Sequence, residues 1–362
     1  MLEYKGTAYP AVIFPAPESQ WFDLESVLAK PLIKERGKDY LIRGSEYFEG
    51  LKRTWRERGT ILDETVNRDT YRMLKLYKDN DNKLKLKVGL GTYFDVLLTS
   101  HALSWELLVN FGKKRPKPRQ FSKFFCRLKL RKTLHDAVND PITNGDGRCA
   151  GIGCSMLIIY KEKDEQRFYA LLRERSKLVA ADVDLYHVVP SLMFQRIVGT
   201  PEQEFSVTHQ LYREYLEELF NIREVETLNT GPLRYDYFYN DPNLLYLNDL
   251  LRNKEAQLLF TGVAVDLLNL RPEICTLLLI KTSEWIDFHS RGNPEKRLKR
   301  IGINKEFKPP DKLPADRIIT FPLNERLEIP PDVAARIRPE RITAPGAAAL
   351  FMGIEVACKM LS

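Results

Sequence analysis

A helical segment, 206–220, contains the residues with the clearest chemical potential, Arg213, Glu214, Glu217 and Glu218. Each residue of an α-helix turns by about 100°, so the three glutamates fall within an arc of roughly 100°, largely opposite the apolar side chains. Like charges at i and i+4 destabilise a helix, and a divalent cation removes that repulsion. Magnesium suits such a site because it prefers oxygen ligands and bridges carboxylates to substrate phosphates. The alternative is a solvated acidic face with ordinary arginine–glutamate pairs.

The order of these residues resembles the centre of a known signature. Arg213-Glu214-x-x-Glu217-Glu218 is similar to the R-E-U-x-E-E part of the Nudix box, whose full form is G-x5-E-x7-R-E-U-x-E-E-x-G-U. Residues 171–176 are similar to the family strand that reads L-L-x-R-R-S, and residues 186–190 resemble the strand that ends in P-G-G. The resemblance covers about residues 147–362 and implies a Nudix-type α/β/α sandwich.

The same resemblance implies a role for each residue of the segment. Glu214, Glu217 and Glu218 are expected to bind Mg²⁺ or Mn²⁺, Glu217 and Glu218 with a catalytic role, and Arg213 is expected to orient them. In such enzymes the metal polarises a pyrophosphate and activates a water that attacks phosphorus. The expected activity is Mg-dependent hydrolysis of a nucleotide-type small molecule, a nucleoside diphosphate linked to another group.

Several positions before the helix depart from the signature. Pro190 is followed by Ser-Leu instead of Gly-Gly, and if Gly199 is taken as the first glycine, Phe205 falls where a glutamate is expected. Glu204, and less favourably Glu202, is the candidate to replace that acid, which makes Glu204 a further candidate catalytic residue. Because the glycine-rich loop is missing, the alternative function is a non-catalytic regulatory protein, nucleotide-sensing or associated with nucleic acid, with a Nudix-like domain.

Other polar residues are weaker candidates. His187 precedes the P-G-G position, but a satisfied core histidine is the favoured interpretation, and His209 is expected to face solvent. Glu273 lies between two apolar runs and offers a further metal ligand or general base, although a turn salt bridge is favoured. The aromatic residues of 235–239 suit either stacking on a nucleobase or packing at the surface.

Length and breaker residues predict two domains. At 362 residues the chain exceeds the roughly 100–200 residues of one domain. Prolines among like charges mark a basic linker at 113–146, which separates an N-terminal α+β domain of unassigned role (1–112) from the Nudix-like domain (147–362). We therefore expect an α/β protein with an additional α+β domain.

The net charge of +7 is concentrated in one segment, since Lys113–Lys132 contains ten basic residues and no acid. A solvated linker is the first interpretation, and a surface that attracts nucleic acid or another polyanion is the second. An amphipathic docking helix over 123–134 is a third, with membrane-surface contact a minor alternative. No apolar run reaches the roughly 20 residues of a spanning helix, and no signal peptide is evident, so a cytoplasmic protein is expected.

Hydrophobic periodicity predicts the elements that position these residues. Helices are expected over 47–58, 70–78, 93–108, 206–220 and 345–361. Strands are expected over 83–88, followed by a turn at 89–91, and over 152–160, 167–172, 186–190, 258–269 (with a helix as alternative) and 274–281.

Overall fold

The computed structural model describes residues 1–37, 39–57, 67–113, 126–163, 167–175, 185–222, 234–302 and 318–362. Over these residues the chain is an α/β protein with an eight-stranded sheet, a three-stranded sheet and a two-stranded ribbon. The large sheet is mixed, and it contains the strands that lead into and out of the helix at 206–220.

The strands follow the chain in this order: β1 Leu2–Tyr4, β2 Thr7–Tyr9, β3 Ala11–Pro15, β4 Leu28–Arg36, β5 Asp69–Lys78, β6 Leu84–Thr92, β7 Gly153–Lys161, β8 Phe168–Glu174, β9 Tyr186–Val188, β10 Ser191–Met193, β11 Ala256–Asp266, β12 Pro272–Ile280 and β13 Ile318–Pro322. The large sheet has the order β13-β8-β7-β12-β11-β3, with β10 beside β7 and β9 beside β8. Strands β7 and β12 are parallel, and every residue of β12 is buried, as expected for a strand covered on both faces.

The α-helices follow the chain in this order: α1 Ser45–Glu57, α2 Tyr93–Val96, α3 Ala102–Lys113, α4 Lys129–Ala137, α5 Val207–Phe220, α6 Pro242–Arg252, α7 Glu284–Arg291, α8 Pro331–Arg336 and α9 Ala344–Leu361. A π-helical turn, Leu97–His101, joins α2 to α3. We call α5 the acidic helix.

Helices cover both faces of the large sheet. On one face a Cβ added to Gly353 of α9 would lie 2.7 Å from Leu157 Cδ2, so the glycine allows α9 to approach β7 closely. On the other face the Tyr160 ring lies 5.5 Å from the Trp285 ring, and Trp285 Nε1 donates to the Tyr215 hydroxyl of the acidic helix at 3.0 Å. Because alternate residues of a strand face opposite sides, the acidic helix and α9 sandwich the sheet.

The acidic helix begins where the sequence predicts. Ser206 is its N-cap and accepts from His209 N at 3.2 Å. The carboxylate of Glu25, far away in the sequence, accepts from Val207 N at 3.1 Å and Thr208 N at 2.8 Å. A negative charge at this end also suits the helix dipole, so the start of the helix is fixed twice.

The N-terminal segment contributes directly to the large sheet. Strand β3 pairs antiparallel with β11, from Pro15 opposite Gly262 to Ala11 opposite Asp266. One core cluster includes residues of β3, of the three-stranded sheet β4-β6-β5 and of the large sheet. The large sheet therefore contains residues from both sides of the domain boundary predicted at residue 112.

Two predictions in this N-terminal segment were wrong. Residues 70–78 form strand β5 and not a helix, because they pair along the whole length of β6. A β-bulge between Met73 and Lys75 interrupts the alternation, so that the buried Met73 and Leu76 are spaced as in a helix. The turn expected at 89–91 is also absent, since β6 continues through both glycines to Thr92.

Most other elements were confirmed within a few residues. Helix α1, the helical region from Tyr93, the hairpin β7–β8, strands β9, β11 and β12, the acidic helix and α9 all lie where they were expected. Asn221 ends the acidic helix in a left-handed conformation with φ 50°. The helix expected over 123–134 corresponds to α4, Lys129–Ala137. Residues 123–125 of the expected helix lie outside the described residues, and residues 126–128 are not helical.

Among the described residues, α9 is one helix whose length and composition would allow it to cross a membrane, and 67% of its 18-residue window is buried inside the protein. A core helix passes the same test. Its small residues, such as Gly353, pack against the central strands of the large sheet.

Candidate functional site

Arg213 is the centre of the charged network on the acidic helix. Its side chain is buried, and its guanidinium lies 3.2 Å from Glu214 Oε1, 3.5 Å from Glu204 Oε2 and 3.9 Å from Glu217 Oε1. Nη2 also donates to Gln210 Oε1 at 2.9 Å. Burial alone lowers the pKa of Arg213, but the charges of the three glutamates outweigh burial and raise it. The arginine therefore stays charged and holds the carboxylates in place.

Glu204 is completely buried and fixes the loop before the acidic helix. Its Oε2 accepts from Ile197 N at 2.8 Å, and its Oε1 accepts from Val198 N at 2.7 Å and also from Gly199 N. Together with Arg213, these donors occupy both oxygens of the carboxylate. Such contacts suit a residue that holds the loop on the helix, and the catalytic role expected for Glu204 stays a prediction.

Glu217 and Glu218 lie one turn beyond Arg213, and both are less than one-tenth exposed. Glu218 Oε2 accepts from Ser191 N at 3.1 Å, at the first residue of β10. The Tyr237 hydroxyl lies 3.5 Å from Glu217 Oε1. The start of β10, directly after Pro190, thus meets the acidic helix at Glu218.

The donor set suits a hard cation, because every candidate ligand offers carboxylate oxygens. In the described part of the chain, however, no three His, Cys, Asp or Glu side chains converge on one point that would hold a metal ion. Magnesium commonly uses only one or two carboxylates and keeps several waters, so Glu217 and Glu218 fit such a site. The three-carboxylate set Glu214, Glu217 and Glu218 stays a prediction.

Glu273 is not brought to the acidic helix. Its partner in the parallel register is Gly153, on the same face of the sheet as Leu157, and therefore on the face that α9 covers. Burial raises the pKa of Glu273 to about 7, against the lowering effects of a hydrogen bond from Ser155 Oγ and the charge of Arg271. The turn salt bridge favoured for Glu273 is not seen among the described residues.

Both histidines singled out in the sequence are buried. His209 packs among aromatic rings of 235–239, with Nδ1 3.2 Å from the Tyr239 hydroxyl, and burial lowers its pKa to about 4, so the expectation that it faces solvent was wrong. His187 lies against the start of α9, where a Cβ on Gly346 would be 3.1 Å from its Cα. Burial lowers the pKa of His187 to about 3, which fits the favoured interpretation of a core histidine.

The basic segment is only partly described, since residues 114–125 lie outside the described residues. Arg131 is buried and donates to Leu268 O at 2.6 Å, so it is not available to a polyanion. Lys132 is exposed and pairs with Asp136. A nucleic acid or polyanion at Lys113–Lys132 stays a prediction for the other basic residues.

Several residues of this network were missed in the sequence. Arg173 donates to Glu218 O at 2.7 Å, and Gln210 donates to Gln195 O at 2.9 Å besides binding Arg213. Arg173 lies within the segment that resembles L-L-x-R-R-S, so that motif was an available signal. No sequence signal identified Glu25, because a single acid far upstream in the chain forms no local pattern with the acidic helix.

Comparison with known proteins gives little support to the resemblance to Nudix hydrolases. No family model matches the sequence, and no curated protein matches it. Among solved structures, a Nudix hydrolase from Alicyclobacillus acidocaldarius is similar over 58% of this chain and 95% of that chain, at 12% sequence identity and a TM-score of 0.28. A likeness at that TM-score and identity does not establish the activity of this chain.

Proposed function

We propose that this chain is a Nudix-type pyrophosphohydrolase, which cleaves a nucleoside diphosphate linked to another group with the help of Mg²⁺ or Mn²⁺. The observation that carries the proposal is the network of Arg213. One buried arginine contacts Glu204 of the preceding loop and Glu214 and Glu217 of the acidic helix, and the next residue of that helix, Glu218, reaches the strand β10. A solvated acidic face would leave these side chains exposed, whereas Glu204, Glu217 and Glu218 are buried and the Glu214 side chain is only 17% exposed.

Each residue then has a separate task. Glu217 and Glu218, with Glu214 as the third proposed ligand, would hold the cation. Arg213 positions Glu214 and Glu217, and Glu204 positions Arg213 while it holds the loop 197–199. When bound, the cation would neutralise phosphate charge and lower the pKa of a water for attack on phosphorus.

The protein supplies preorganisation around the cation. Ser206 and Glu25 fix the start of the acidic helix, and Arg173 fixes its end by donating to Glu218 O. Because Ser191 N donates to Glu218, the carboxylate of that residue has a fixed orientation before substrate binds. Placing the carboxylates in advance reduces the reorganisation needed during the reaction.

A metal-dependent assay tests this proposal. Nucleotide sugars, dinucleotides and nucleoside triphosphates are incubated with the protein and Mg²⁺ or Mn²⁺, and release of nucleoside monophosphate or phosphate is followed. Release that requires the cation and is lost in Glu217→Gln supports the hydrolase. Nucleotide binding without turnover, in a protein shown to be folded, contradicts it and favours the non-catalytic nucleotide-sensing alternative.

A further inference from the structure

The loop that follows α7 carries a group of exposed positive charges. Residues 291–300 contain five basic residues and one acid. We call these residues the basic hairpin. All five basic residues are exposed: Arg291, Lys296, Arg297, Lys299 and Arg300.

The backbone of the basic hairpin is fixed by hydrogen bonds. Asn293 and Leu298 exchange two backbone hydrogen bonds of 2.9 Å each. At the end of the hairpin, Lys299 N donates to Oδ1 of the buried Asn243 of α6 at 2.8 Å, and Lys299 O accepts from His289 Nδ1 of α7 at 2.9 Å. The basic side chains are therefore attached to a loop whose position is set by two helices.

The same loop leads to the acidic helix. Two residues beyond the hairpin, Gly302 N donates to Leu219 O at 2.7 Å. Arg173 Nη2 donates both to Gly302 O at 3.0 Å and to Glu218 O at 2.7 Å. The basic hairpin thus ends close to the C-terminal end of the acidic helix.

The positive charges of the hairpin are not balanced by neighbouring acids. Within the described part of the chain, none of its five basic side chains forms an ion pair, and Asp287, an acid of α7, pairs instead with Lys163 at 2.8 Å. Lys296 Nζ lies 4.2 Å from the centre of the Phe288 ring and 5.7 Å from that of Tyr246. These cation–π contacts orient the ammonium group without neutralising its charge.

This lack of ion pairs distinguishes the hairpin from other exposed basic residues. Lys34 pairs with Glu202, and Lys132 pairs with Asp136, so at those positions an acid of the same chain already balances the charge. On the hairpin, several like charges close together create a positive potential that attracts a partner with several negative groups.

The side chains of the hairpin suit phosphates better than a lipid surface. Three of the five basic residues are arginines, whose planar guanidinium groups bind phosphate through two parallel hydrogen bonds. Insertion into a lipid surface requires exposed apolar side chains, but the one large apolar residue of the hairpin, Leu298, is only 5% exposed. A nucleic acid presents a row of phosphates and requires no apolar insertion.

We propose that the basic hairpin binds the phosphate backbone of a nucleic acid. Contacts to phosphate carry no sequence information, so binding depends on salt and not on the base sequence. The inference goes beyond the proposed hydrolysis and does not depend on it. It also differs from the polyanion surface predicted at Lys113–Lys132, because it concerns a separate loop.

Fluorescence anisotropy of the full chain tests this inference. The probes are labelled single-stranded RNA, single-stranded DNA and duplex DNA of equal length, in EDTA, between about 50 and 200 mM salt. Each phosphate contact with a single strand contributes about −0.7 to the slope of log K against log salt concentration, so five contacts give about −3.5. Comparison of the three probes shows whether RNA or DNA is preferred.

A triple variant, Arg297→Gln with Lys299→Gln and Arg300→Gln, removes three of the contacts. The slope should become shallower by about 2, and binding at about 100 mM salt should weaken about a hundredfold, the factor that three contacts contribute at that concentration. The side chains are exposed, so the melting temperature should not change. If the triple variant does not fold, Arg300→Gln alone decides, with a slope shallower by about 0.7.

The matched control removes the same charge elsewhere. Arg326→Gln, Arg336→Gln and Arg338→Gln together change three exposed arginines in the segment that leads into α9, which packs on the other face of the large sheet. This control should bind within about threefold of the wild type, because only the long-range charge changes and salt screens it.

Three results would overturn the inference. The first is the absence of salt-dependent binding of any probe by the wild type. The second is binding that is equal in the triple variant and the wild type, which would move the nucleic-acid site to another surface such as Lys113–Lys132. The third is hairpin-dependent sedimentation with phosphatidylserine vesicles but no binding of the oligonucleotides, which would identify a lipid surface as the partner. Because EDTA removes the cation, none of these results depends on hydrolysis.

Discussion

Removal of the Glu204 carboxylate should destabilise the protein strongly. Glu204 is 0% exposed, accepts hydrogen bonds from three backbone N–H groups and forms an ion pair with the Arg213 guanidinium. Glu204→Ala leaves a buried arginine with one charge partner fewer and three amides without an acceptor. Removing one partner of a buried ion pair typically costs about 3–5 kcal/mol, and the lower end applies here because Arg213 keeps Glu214 and Glu217. The three half-buried amides that lose their acceptor add to that cost. We therefore expect a loss of at least about 3 kcal/mol in the free energy of unfolding.

Urea denaturation followed by tryptophan fluorescence measures that loss. Glu202→Ala is the matched control, since its side chain is 46% exposed and pairs with Lys34 only at the surface, and its unfolding midpoint should not change. Glu204→Gln should fall between the wild type and Glu204→Ala, because it retains an oxygen acceptor but no charge. A Glu204→Ala variant that loses less than about 1 kcal/mol, below the penalty for one broken buried pair, would refute the structural role given to this network.

Three further predictions concern stability. The pKa of His187 is lowered to about 3 and that of His209 to about 4, so the unfolded chain takes up protons below pH 6.5 that the folded protein does not. Each of these two histidines therefore lowers the stability of the folded protein as the pH falls from 6.5 towards 4. His187→Gln should make urea unfolding less sensitive to acid between pH 7 and pH 5. An unchanged pH dependence would contradict a buried neutral histidine at this position. The pKa of Glu273 is raised to about 7, so the folded protein keeps a proton between pH 4.5 and 7 that the unfolded chain has lost, and stability falls as the pH rises through that window. Glu273→Gln should be more stable than the wild type at pH 8, by about 2–3 kcal/mol, and equal stability would contradict the unfavourable burial of its charge. Gly145→Ala should lower the melting temperature, because its Cβ would lie 1.8 Å from Met73 O, whereas Gly50→Ala in α1 meets nothing within 4 Å and should raise it; the reverse order would contradict the packing of the 140–147 loop on β5.

The sequence predicted the acidic helix well because all of its signals are local. Ser206 caps its start, Asn221 ends it, and the apolar residues between them recur at helical spacing. The hairpin β7–β8 and the buried strand β12 could also be predicted from the sequence, since continuous apolar runs are typical of strands covered on both faces.

The errors have physical causes that lie outside the local sequence. The bulge after Met73 gave β5 the spacing of a helix, and only its partner β6 shows that it is a strand. His209 was expected at the surface because it lies on a polar part of the helix, yet aromatic residues of 235–239 cover it. No spacing rule connects Glu25 with Val207, so the cap that joins the N-terminal segment to the acidic helix is visible only in three dimensions.

The position of Glu273 also could not be predicted from the local sequence. Its position between apolar runs left a metal ligand or general base as the second interpretation beside the favoured turn salt bridge, but the register of β12 against β7 directs Glu273 to the face of the sheet opposite the acidic helix. A one-residue shift in that register would have reversed the face, and register depends on pairing rather than on composition.

The most direct test of the central claim is hydrolysis of a nucleotide panel with and without Mg²⁺ or Mn²⁺, by the wild type and by Glu218→Gln. The proposal predicts cation-dependent release of nucleoside monophosphate or phosphate by the wild type, with a loss of at least about a hundredfold in the variant, as is typical when a group that stabilises developing charge is removed. Absence of release from every compound by folded wild-type protein, or equal release by the variant, would contradict it.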